Sequence, residues 1–421
     1  MLQALSNSAD EKKPVLTTAM CMVLQAVGGG LGWSLVPASM PEIARDLKLG
    51  HASAGAVFGA ASLGIALASP LGGAAVDRFG ARRTAGLAML FGAAMCAIRG
   101  LSQSAASLAA MMFFFGLHIG FVAPAIPKAL AAHVAASRFG RANGIALLSY
   151  TLGTALTMVI ARTYILPAFG GWRGAMLASG VAMAIAGCAW LVTIRDGVVA
   201  SHHASLKSSF VLLKHGSIRR VAGAYFLLFG GYLALLSSLP HALTDAGLDK
   251  TKVGTAIAAW LGMAGLANFA GPWISDRIGR RRPVILGGAI VAGLALAGVA
   301  LAPASQKPLF LAIAAIGGGS FAPLLLTLPF ELPEVGPARG GAALGLLMML
   351  GQVGGFLLPI AVGATAEAAG FRTALLGLAM LHALIIFPAL GLRETGRAND
   401  SKDDDTNAWS PSASGAHDKV G

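Results

Sequence analysis

Gly-Gly-Ala-Ala-Val-Asp-Arg-Phe-Gly-Ala-Arg-Arg, residues 72–83, returns at residues 271–282 as Gly-Pro-Trp-Ile-Ser-Asp-Arg-Ile-Gly-Arg-Arg-Arg. The aspartates of the two copies, Asp77 and Asp276, lie 199 positions apart. Each copy lies between long segments without charged residues, so each predicts a short basic turn between two membrane helices. A duplicated membrane protein with such a turn in each half is a candidate secondary transporter.

The composition excludes an ordinary soluble protein. The chain is 56% hydrophobic and 12% charged, whereas soluble domains carry about 25% charged residues. Its net charge of +13 does not indicate a nucleic-acid partner, because the basic residues lie at the ends of apolar runs. The three cysteines lie inside apolar runs without metal-ligand spacing. No nucleophile–base pair is recognisable, so we predict no enzyme activity, no cofactor and no metal site.

The distribution of charge predicts the number of membrane spans. A helix needs about 20 apolar residues to cross the hydrocarbon core. Twelve long intervals contain no Asp, Glu, Lys or Arg: 14–41, 49–76, 84–98, 100–127, 142–161, 174–194, 221–244, 253–275, 283–306, 308–330, 340–366 and 373–392. The sequence therefore predicts an all-α integral membrane protein with twelve transmembrane helices. The third interval is the shortest, and we expect Arg99 at its membrane surface.

The basic residues also predict the orientation. With a cytoplasmic N-terminus, the inner loops hold 16 of the 31 Lys and Arg residues and the outer loops hold nine. Because cytoplasmic loops are enriched in Lys and Arg, we expect a multi-pass protein of the cytoplasmic (inner) membrane with both termini in the cytoplasm. The predicted units are a cytoplasmic segment (1–13), a six-helix bundle (14–194), a linker (195–220), a second bundle (221–392) and a disordered tail (393–421).

The duplication extends well beyond the turn. At the same offset of 199, Gly32-Trp33 aligns with Gly231-Tyr232, and the segment Gly-Trp-Arg at 171–173 aligns with Gly-Phe-Arg at 370–372. Such a match over six helices indicates two parallel six-helix repeats, related by a pseudo-two-fold axis along the membrane normal and enclosing a central cavity.

From about Thr17 to Leu392 the chain resembles the major facilitator superfamily. The signature of that family, Gly-x-x-x-Asp-Arg-x-Gly-x-Arg-Arg, is matched at every position by Gly73, Asp77, Arg78, Gly80, Arg82 and Arg83. The second copy departs from it at Pro272, where the family has glycine. The resemblance implies transport by alternating access. It also implies that the turns lock the two halves together on the cytoplasmic side when the cavity faces outward.

Six residues of the two turns are the predicted gating residues: Asp77, Arg78, Arg82, Asp276, Arg277 and Arg281. A carboxylate is stabilised at the positive N-terminal end of a helix. Asp77 is therefore expected to meet the start of the eleventh helix near Gly340. The alternative is that both turns only set the topology through their positive charge.

Polar residues at membrane depth are the predicted substrate-binding residues: Gln25, Trp33, His118, Tyr150, Tyr232 and Gln352. No Asp or Glu lies within the twelve intervals, which argues against a cation exporter driven by a buried carboxylate. In the repeat alignment His118 is paired with Gly317, so the two halves differ at this position. His118 could therefore contact a substrate or carry a proton. The alternative is a packed histidine bonded to a backbone carbonyl. His382 is expected to be structural.

Two short segments indicate a subfamily. Ala-Ile-Arg-Gly-Leu at 97–101 and Ala-Ile-Pro-Lys-Ala-Leu at 125–130 resemble the branch that includes cyanate and nitrate/nitrite porters. We therefore expect a monomeric secondary active transporter, embedded in the lipid bilayer, that moves a small anion or polar metabolite; proton coupling is left open. The alternatives are an exporter of neutral or amphiphilic compounds and a non-transporting sensor or assembly protein.

Overall fold

A computed structural model of the chain describes residues 14–196 and 210–395; of residues 136, 137, 140 and 336–342 it describes the backbone only. The predicted N-terminal segment, the middle of the linker and almost all of the predicted tail therefore lie outside the described residues. Within the two described ranges every regular element is a helix and no strand occurs. The predicted all-α class is confirmed.

Twelve helices are labelled here in chain order. They are α1 (Pro14–Ala38), α2 (Met40–Asp46), α3 (His51–Arg99), α4 (Ala105–His133), α5 (Ala136–Ile160), α6 (Trp172–Thr193), α7 (Gly216–Asp245), α8 (Lys250–Ile278), α9 (Arg282–Leu301), α10 (Lys307–Glu331), α11 (Gly336–Leu384) and α12 (Ile386–Leu390). Helix α5 continues through a π-helical turn, Ala161–Ile165, and a last short turn, Leu166–Ala168.

Two of these helices are long enough to cross a membrane twice. Helices α3 and α11 have 49 residues each, or about 74 Å of helix, against a hydrocarbon core of about 30 Å. Each is interrupted by one non-helical glycine, Gly80 (φ 84°, ψ 163°) and Gly370 (φ 80°, ψ 163°). Ten described helices are long and apolar enough to span a membrane. Counting the two arms of α3 and of α11 separately gives the twelve segments that the sequence predicts.

The internal repeat is visible in the backbone and in the packing. Gly80 and Gly279, 199 positions apart, have φ values of 84° and 70°; Gly171 and Gly370 have φ values of 112° and 80°. Glycine adopts this left-handed region without the steric cost that other residues pay. Gly32 of α1 packs against Met183 of α6, and Gly231 of α7 packs against His382 of α11, again at an offset of 199.

The two halves differ in their first helix. In the first half, Gln25–Trp33 of α1 is a π-helix, whereas α7 of the second half is α-helical throughout. A π-helix within an α-helix is rare and often marks a functional site. The first half therefore departs from the repeat at the helix that carries Gln25 and Trp33.

Arg99, expected at the membrane surface, lies next to this π-helix; its depth in the membrane stays a prediction. Its side chain is fully buried. The guanidinium lies 4.0 Å from the ring centroid of Phe115 and donates to the carbonyl of Gly32 at 2.9 Å. A cation–π contact and a backbone acceptor stabilise the buried charge. The equivalent position in the second half is Gly298, where the ring of Phe310 fills the space.

The two halves contact each other at the end opposite the duplicated turns. A Cβ on Gly55 of α3 would overlap the carbonyl oxygen of Pro359 in α11, and a Cβ on Gly254 of α8 would lie 2.5 Å from the carbonyl oxygen of Met158 in α5. Such close backbone approach requires glycine. We call this end of the molecule, with its two glycine crossings, the closed end, and the end that carries the duplicated turns the turn end.

Candidate functional site

A cavity of about 290 Å³ lies on the turn-end side of the two crossings. Helices α7, α8 and α10 form most of its wall, and Thr151 of α5 contributes from the first half. Most of its aromatic lining comes from α7. The cavity therefore lies mainly within the second half, with one lining residue from the first half.

The aromatic wall is continuous. Tyr225, Phe229 and Tyr232 follow one another on α7, with ring centroids 5.6 and 6.1 Å apart. Tyr232 then stacks on Trp260 of α8 at 5.2 Å and an interplanar angle of 27°. Tyr232 was predicted as a site residue, whereas the other three were missed. Spacings of four and three residues place side chains on one helix face, so this stripe was recognisable in the sequence.

Glycines of the π-helix lie on the side of the first half. The ring of Tyr150 in α5 packs against Gly29, and the Oε1 atom of Gln25 lies 3.6 Å from the position of a Cβ on the same glycine. Thr151, the next residue of α5, lines the cavity together with Tyr232 of the second half. The structure thus brings three of the six predicted substrate-binding residues, Gln25, Tyr150 and Tyr232, to the meeting of the halves.

The other three predicted residues lie elsewhere. Trp33 is buried against Phe58 within the first half, with ring centroids 5.2 Å apart. The Nδ1 atom of His118 is bonded to the carbonyl of Phe115, and the ring borders a groove between α3 and α4 that lies apart from the cavity. The Oε1 atom of Gln352 is buried and has no hydrogen-bond partner among the described residues. Direct substrate contact by these three residues stays a prediction.

His382, expected to be structural, lines the cavity. Its Nδ1 atom is bonded to the carbonyl of Leu378 at 2.9 Å, and its ring packs behind Gly231. The glycine leaves the ring access to the cavity. At the equivalent position in the first half stands Met183, so the two repeats also differ here.

The polar side chains of the lining can donate hydrogen bonds, and those other than the indole can also accept them. They include the hydroxyls of Tyr225 and Tyr232, the indole of Trp260 and the amide of Asn268. None of the described lining residues carries a carboxylate, a guanidinium or an ammonium group. A cation would find no counter-charge in such a cavity, whereas a solute rich in acceptor atoms would find several donors.

The first turn is held together within its own half. Asp77 forms an ion pair with Lys128 of α4, and Arg78 stacks on Phe79 at 5.2 Å. The backbone N–H of Arg82 donates to Asp196 at 2.8 Å, and its Nε donates to the carbonyl of Leu191 at 2.6 Å. Asp77 thus pairs with Lys128 of α4; its expected contact with the start of α11 involves residues of which only the backbone is described, and it stays a prediction.

The described contacts of the second turn also lie within its own half. Arg281 forms ion pairs with Asp276 and, at 2.9 Å, with Glu331 of α10. The backbone N–H of Arg281 donates to Glu394 after the last helix, and Arg277 stacks on Trp273 at 5.0 Å. Four acidic or basic partners of the two turns were not predicted from the sequence: Lys128, Asp196, Glu331 and Glu394. The sequence did contain a signal for two of these partners, because Asp196 and Glu394 lie 198 positions apart, close to the repeat offset of 199.

The described polar contacts differ between the two ends of the molecule. The ion pairs of Asp77 and Arg281 at the turn end join residues of the same half. At the closed end, Arg162 of the first half donates to Glu42 at 2.9 Å and to Thr244 of the second half at 3.1 Å. The structure is sealed at the closed end, and its cavity lies toward the turn end. Locking of the turns across the halves stays a prediction.

Asp77→Asn should slow transport and leave substrate affinity within about 3-fold of the native value. The change removes the charge that pairs with Lys128 and so alters the balance of states without touching the cavity. Initial uptake rates and equilibrium binding measure the two effects separately. Asp249→Asn, at an exposed helix start of the closed end, is the control. A large loss of affinity with normal turnover would contradict a gating role.

Two six-helix repeats that cross closely at one end and border a cavity on the other side of the crossings are typical of a membrane transporter that works by alternating access. The family model described as "Major Facilitator Superfamily" matches residues 22–359 and, in a second match, residues 221–416. The chain therefore belongs to this superfamily. It is a multi-pass inner-membrane transporter of a small solute and not an enzyme.

Similar proteins include transporters named for inorganic anions. "Probable nitrate/nitrite transporter NarK2" of Mycobacterium tuberculosis is 28% identical over 359 residues, which cover 79% of this chain and 85% of that protein. "Nitrite extrusion protein" of Bacillus subtilis is 24% identical over 360 residues, 82% of this chain and 86% of that protein. Both alignments cover most of the two chains compared.

Solved structures share the fold at lower identity. A bacterial homolog of the human lysosomal transporter Spinster, in an inward-facing and occupied conformation, superposes with a TM-score of 0.76 at 16% identity, covering 94% of this chain and 98% of that chain. The nucleoside transporter NupG superposes with a TM-score of 0.72 at 15% identity, covering 90% and 98%. The predicted fold is confirmed.

Proposed function

We propose that the small solute carried by this transporter is a small anion or a polar metabolite rich in hydrogen-bond acceptors. The observation that carries the proposal is the cavity wall, which offers hydroxyl, indole and amide donors and no carboxylate among its described residues. A volume of about 290 Å³ is at the lower limit of typical ligand pockets, which favours a small solute. Two relatives named for nitrate or nitrite support the same class.

The aromatic wall can hold such a solute without a fixed positive charge. The edges of aromatic rings are electropositive and their faces are electronegative, so an acceptor-rich group would approach the rings edge-on. The hydroxyls of Tyr225 and Tyr232 lie on the wall that lines this space. Hydrogen bonds to an anion are stronger than those between neutral groups, which compensates in part for the solvation that the anion loses.

Uptake by purified protein in lipid vesicles tests the proposal. The probes are labelled nitrate, nitrite and short-chain carboxylates, a neutral sugar and an amphiphilic cationic dye. We expect saturable uptake of at least one anion or polar metabolite and none of the dye. Transport of the dye alone would favour an exporter of amphiphilic compounds. Binding without uptake of any solute would favour a non-transporting protein, and protein-free vesicles provide the baseline.

We also propose that the turn end faces the cytoplasm, that both termini lie there and that the protein acts as a monomer. The excess of Lys and Arg in the loops of that end supports the orientation. A cysteine at Gly73, beside the first turn and with open space around it, should react with a membrane-impermeant reagent only from the inner side. Labelling from outside would contradict the orientation.

A further inference from the structure

Two histidines from opposite halves meet in the closed end. His51 is the first residue of α3, and His241 lies near the end of α7. Their ring centroids are 5.5 Å apart at an interplanar angle of 79°, and the ring of Phe371 lies 4.6 Å from that of His51. The Nε2 atom of His241 is buried and has no hydrogen-bond partner among the described residues.

The pair lies where the halves are in contact. The carbonyl oxygen of His51 packs directly against Gly363 of α11, so the two backbones touch at this point. Ser237 and Ser238 complete a void of about 10 Å³ beside the two rings, roughly the space that one water molecule occupies. The histidines are therefore part of the seal, and the void beside their rings has space for one water molecule.

The repeat alignment shows how His241 differs from its equivalent in the first half. At the offset of 199, the equivalent of His241 is Glu42. Glu42 forms an ion pair with Arg162 at 2.9 Å. One position of the seal is therefore an ion pair, while its repeat equivalent carries a histidine, the residue type that most often serves as a switch near physiological pH.

We propose that His51 and His241 form a proton-binding site whose occupation opens the closed end. The two imidazoles pack against each other when they are neutral. When both are protonated, two like charges face each other across a half-buried contact with space for about one water molecule. Their repulsion and their incomplete solvation both favour separation. Separation of the halves lets water solvate the charges. The proposal rests on the alternating-access function proposed above and assigns to it a coupling ion, the proton.

Other charged groups surround the pair. Asp245 of α7 and Arg162 of α5 act on His241 with opposite sign, and Arg162 is itself neutralised by Glu42 of α2. Glu367 of α11 accepts a hydrogen bond from the amide of Ala52, next to His51. The acidic groups can stabilise a first proton inside the seal. The second proton then meets a charged neighbour, so its uptake is the step that parts the halves.

A distance measurement across the closed end tests this site without any substrate. Arg45 of α2 and Lys250 of α8 are exposed and lie on different halves. Both would be replaced by spin-labelled cysteines in a Cys188→Ser background, since Cys188 is the exposed native cysteine. The distance distribution is recorded in lipid vesicles from pH 8 to pH 5.

We expect the separated population to rise as the pH falls, by up to about 10-fold per pH unit for each proton taken up, because linkage requires the state that binds protons more tightly to gain. His51→Gln or His241→Gln alone should lower this slope, and the double variant should abolish it. His133→Gln is the matched control, because His133 lies at the other end of the molecule. It should keep the native response.

An unchanged response in the double variant, or no response of the native chain, would overturn the proposal. Monodisperse elution of each variant from a sizing column guards against a trivial loss of folding. If the distances respond to pH but no solute is transported, the proposed function fails and the proton site stands. If uptake is normal and the distances ignore pH, the proton site fails alone.

Discussion

Gly254→Ala, and equally Gly55→Ala, should reduce uptake by about 5- to 150-fold. A Cβ at Gly254 would lie 2.5 Å from the carbonyl oxygen of Met158, and one at Gly55 would overlap that of Pro359. Both obstacles are backbone atoms of the opposite half, which cannot rotate away as a side chain can. Overpacking of this kind costs about 1–3 kcal/mol, and that energy corresponds to the stated range of population change. The overlap, and with it this energetic cost, exists only in the state in which the closed end is sealed.

The same helix offers the control. A Cβ on Gly262 of α8 would have no heavy atom within 4 Å, so Gly262→Ala should leave uptake unchanged or improve folding slightly, since alanine favours helix. Initial uptake rates give the first measurement, and the spin-label distance across the closed end gives the second. Gly254→Ala should shift that distance toward the separated value. Equal rates for Gly254→Ala and Gly262→Ala would show that the crossing is not needed for transport.

Trp260→Ala should weaken substrate binding by about 10-fold or more. Trp260 is 4% exposed, and its ring extends the aromatic wall by stacking on Tyr232. Removal of a large, desolvated aromatic side chain from a binding surface typically costs more than about 1 kcal/mol. Trp260→Phe keeps a ring at this position and should lose less affinity than Trp260→Ala.

Trp273→Ala is the matched control for this change. Trp273 lies on the same helix, but it is 59% exposed and contacts Arg277 and not the cavity. Equilibrium binding of the solute that vesicle uptake identifies is measured for the three variants, together with their thermal unfolding, because loss of a buried tryptophan also destabilises a protein. Equal affinities of Trp260→Ala and Trp273→Ala would show that the aromatic wall does not bind the solute.

The sequence predicts the fold because the signals for it are local. The charge-free intervals are visible in the sequence residue by residue. The glycines at 80 and 370 separate the two arms of the long helices, and both stand in segments that repeat at a fixed offset. The stripe formed by Tyr225, Phe229 and Tyr232 is local in the same sense, since its spacing follows from the period of one helix.

The contacts that the sequence does not predict join distant segments. Arg99 stands at the end of a short apolar interval, as a surface arginine would, but it is buried and donates to the carbonyl of Gly32, 67 positions away. The role of Lys128 is similar, because its partner Asp77 is 51 positions away. Pairings of this length leave no periodic trace in a single sequence.

The π-helix of α1 has a consequence for the way a solute is held between the halves. The repeats are parallel, so two identical halves would present the same surface to the central space, and a solute could bind in two equivalent orientations related by rotation about the membrane normal. The π-helix from Gln25 to Trp33, with Arg99 bonded to it, has no counterpart in the second half, where α7 is α-helical and Gly298 of α9 stands in place of the arginine. The two orientations are therefore inequivalent, and an asymmetric solute has one preferred direction within the carrier.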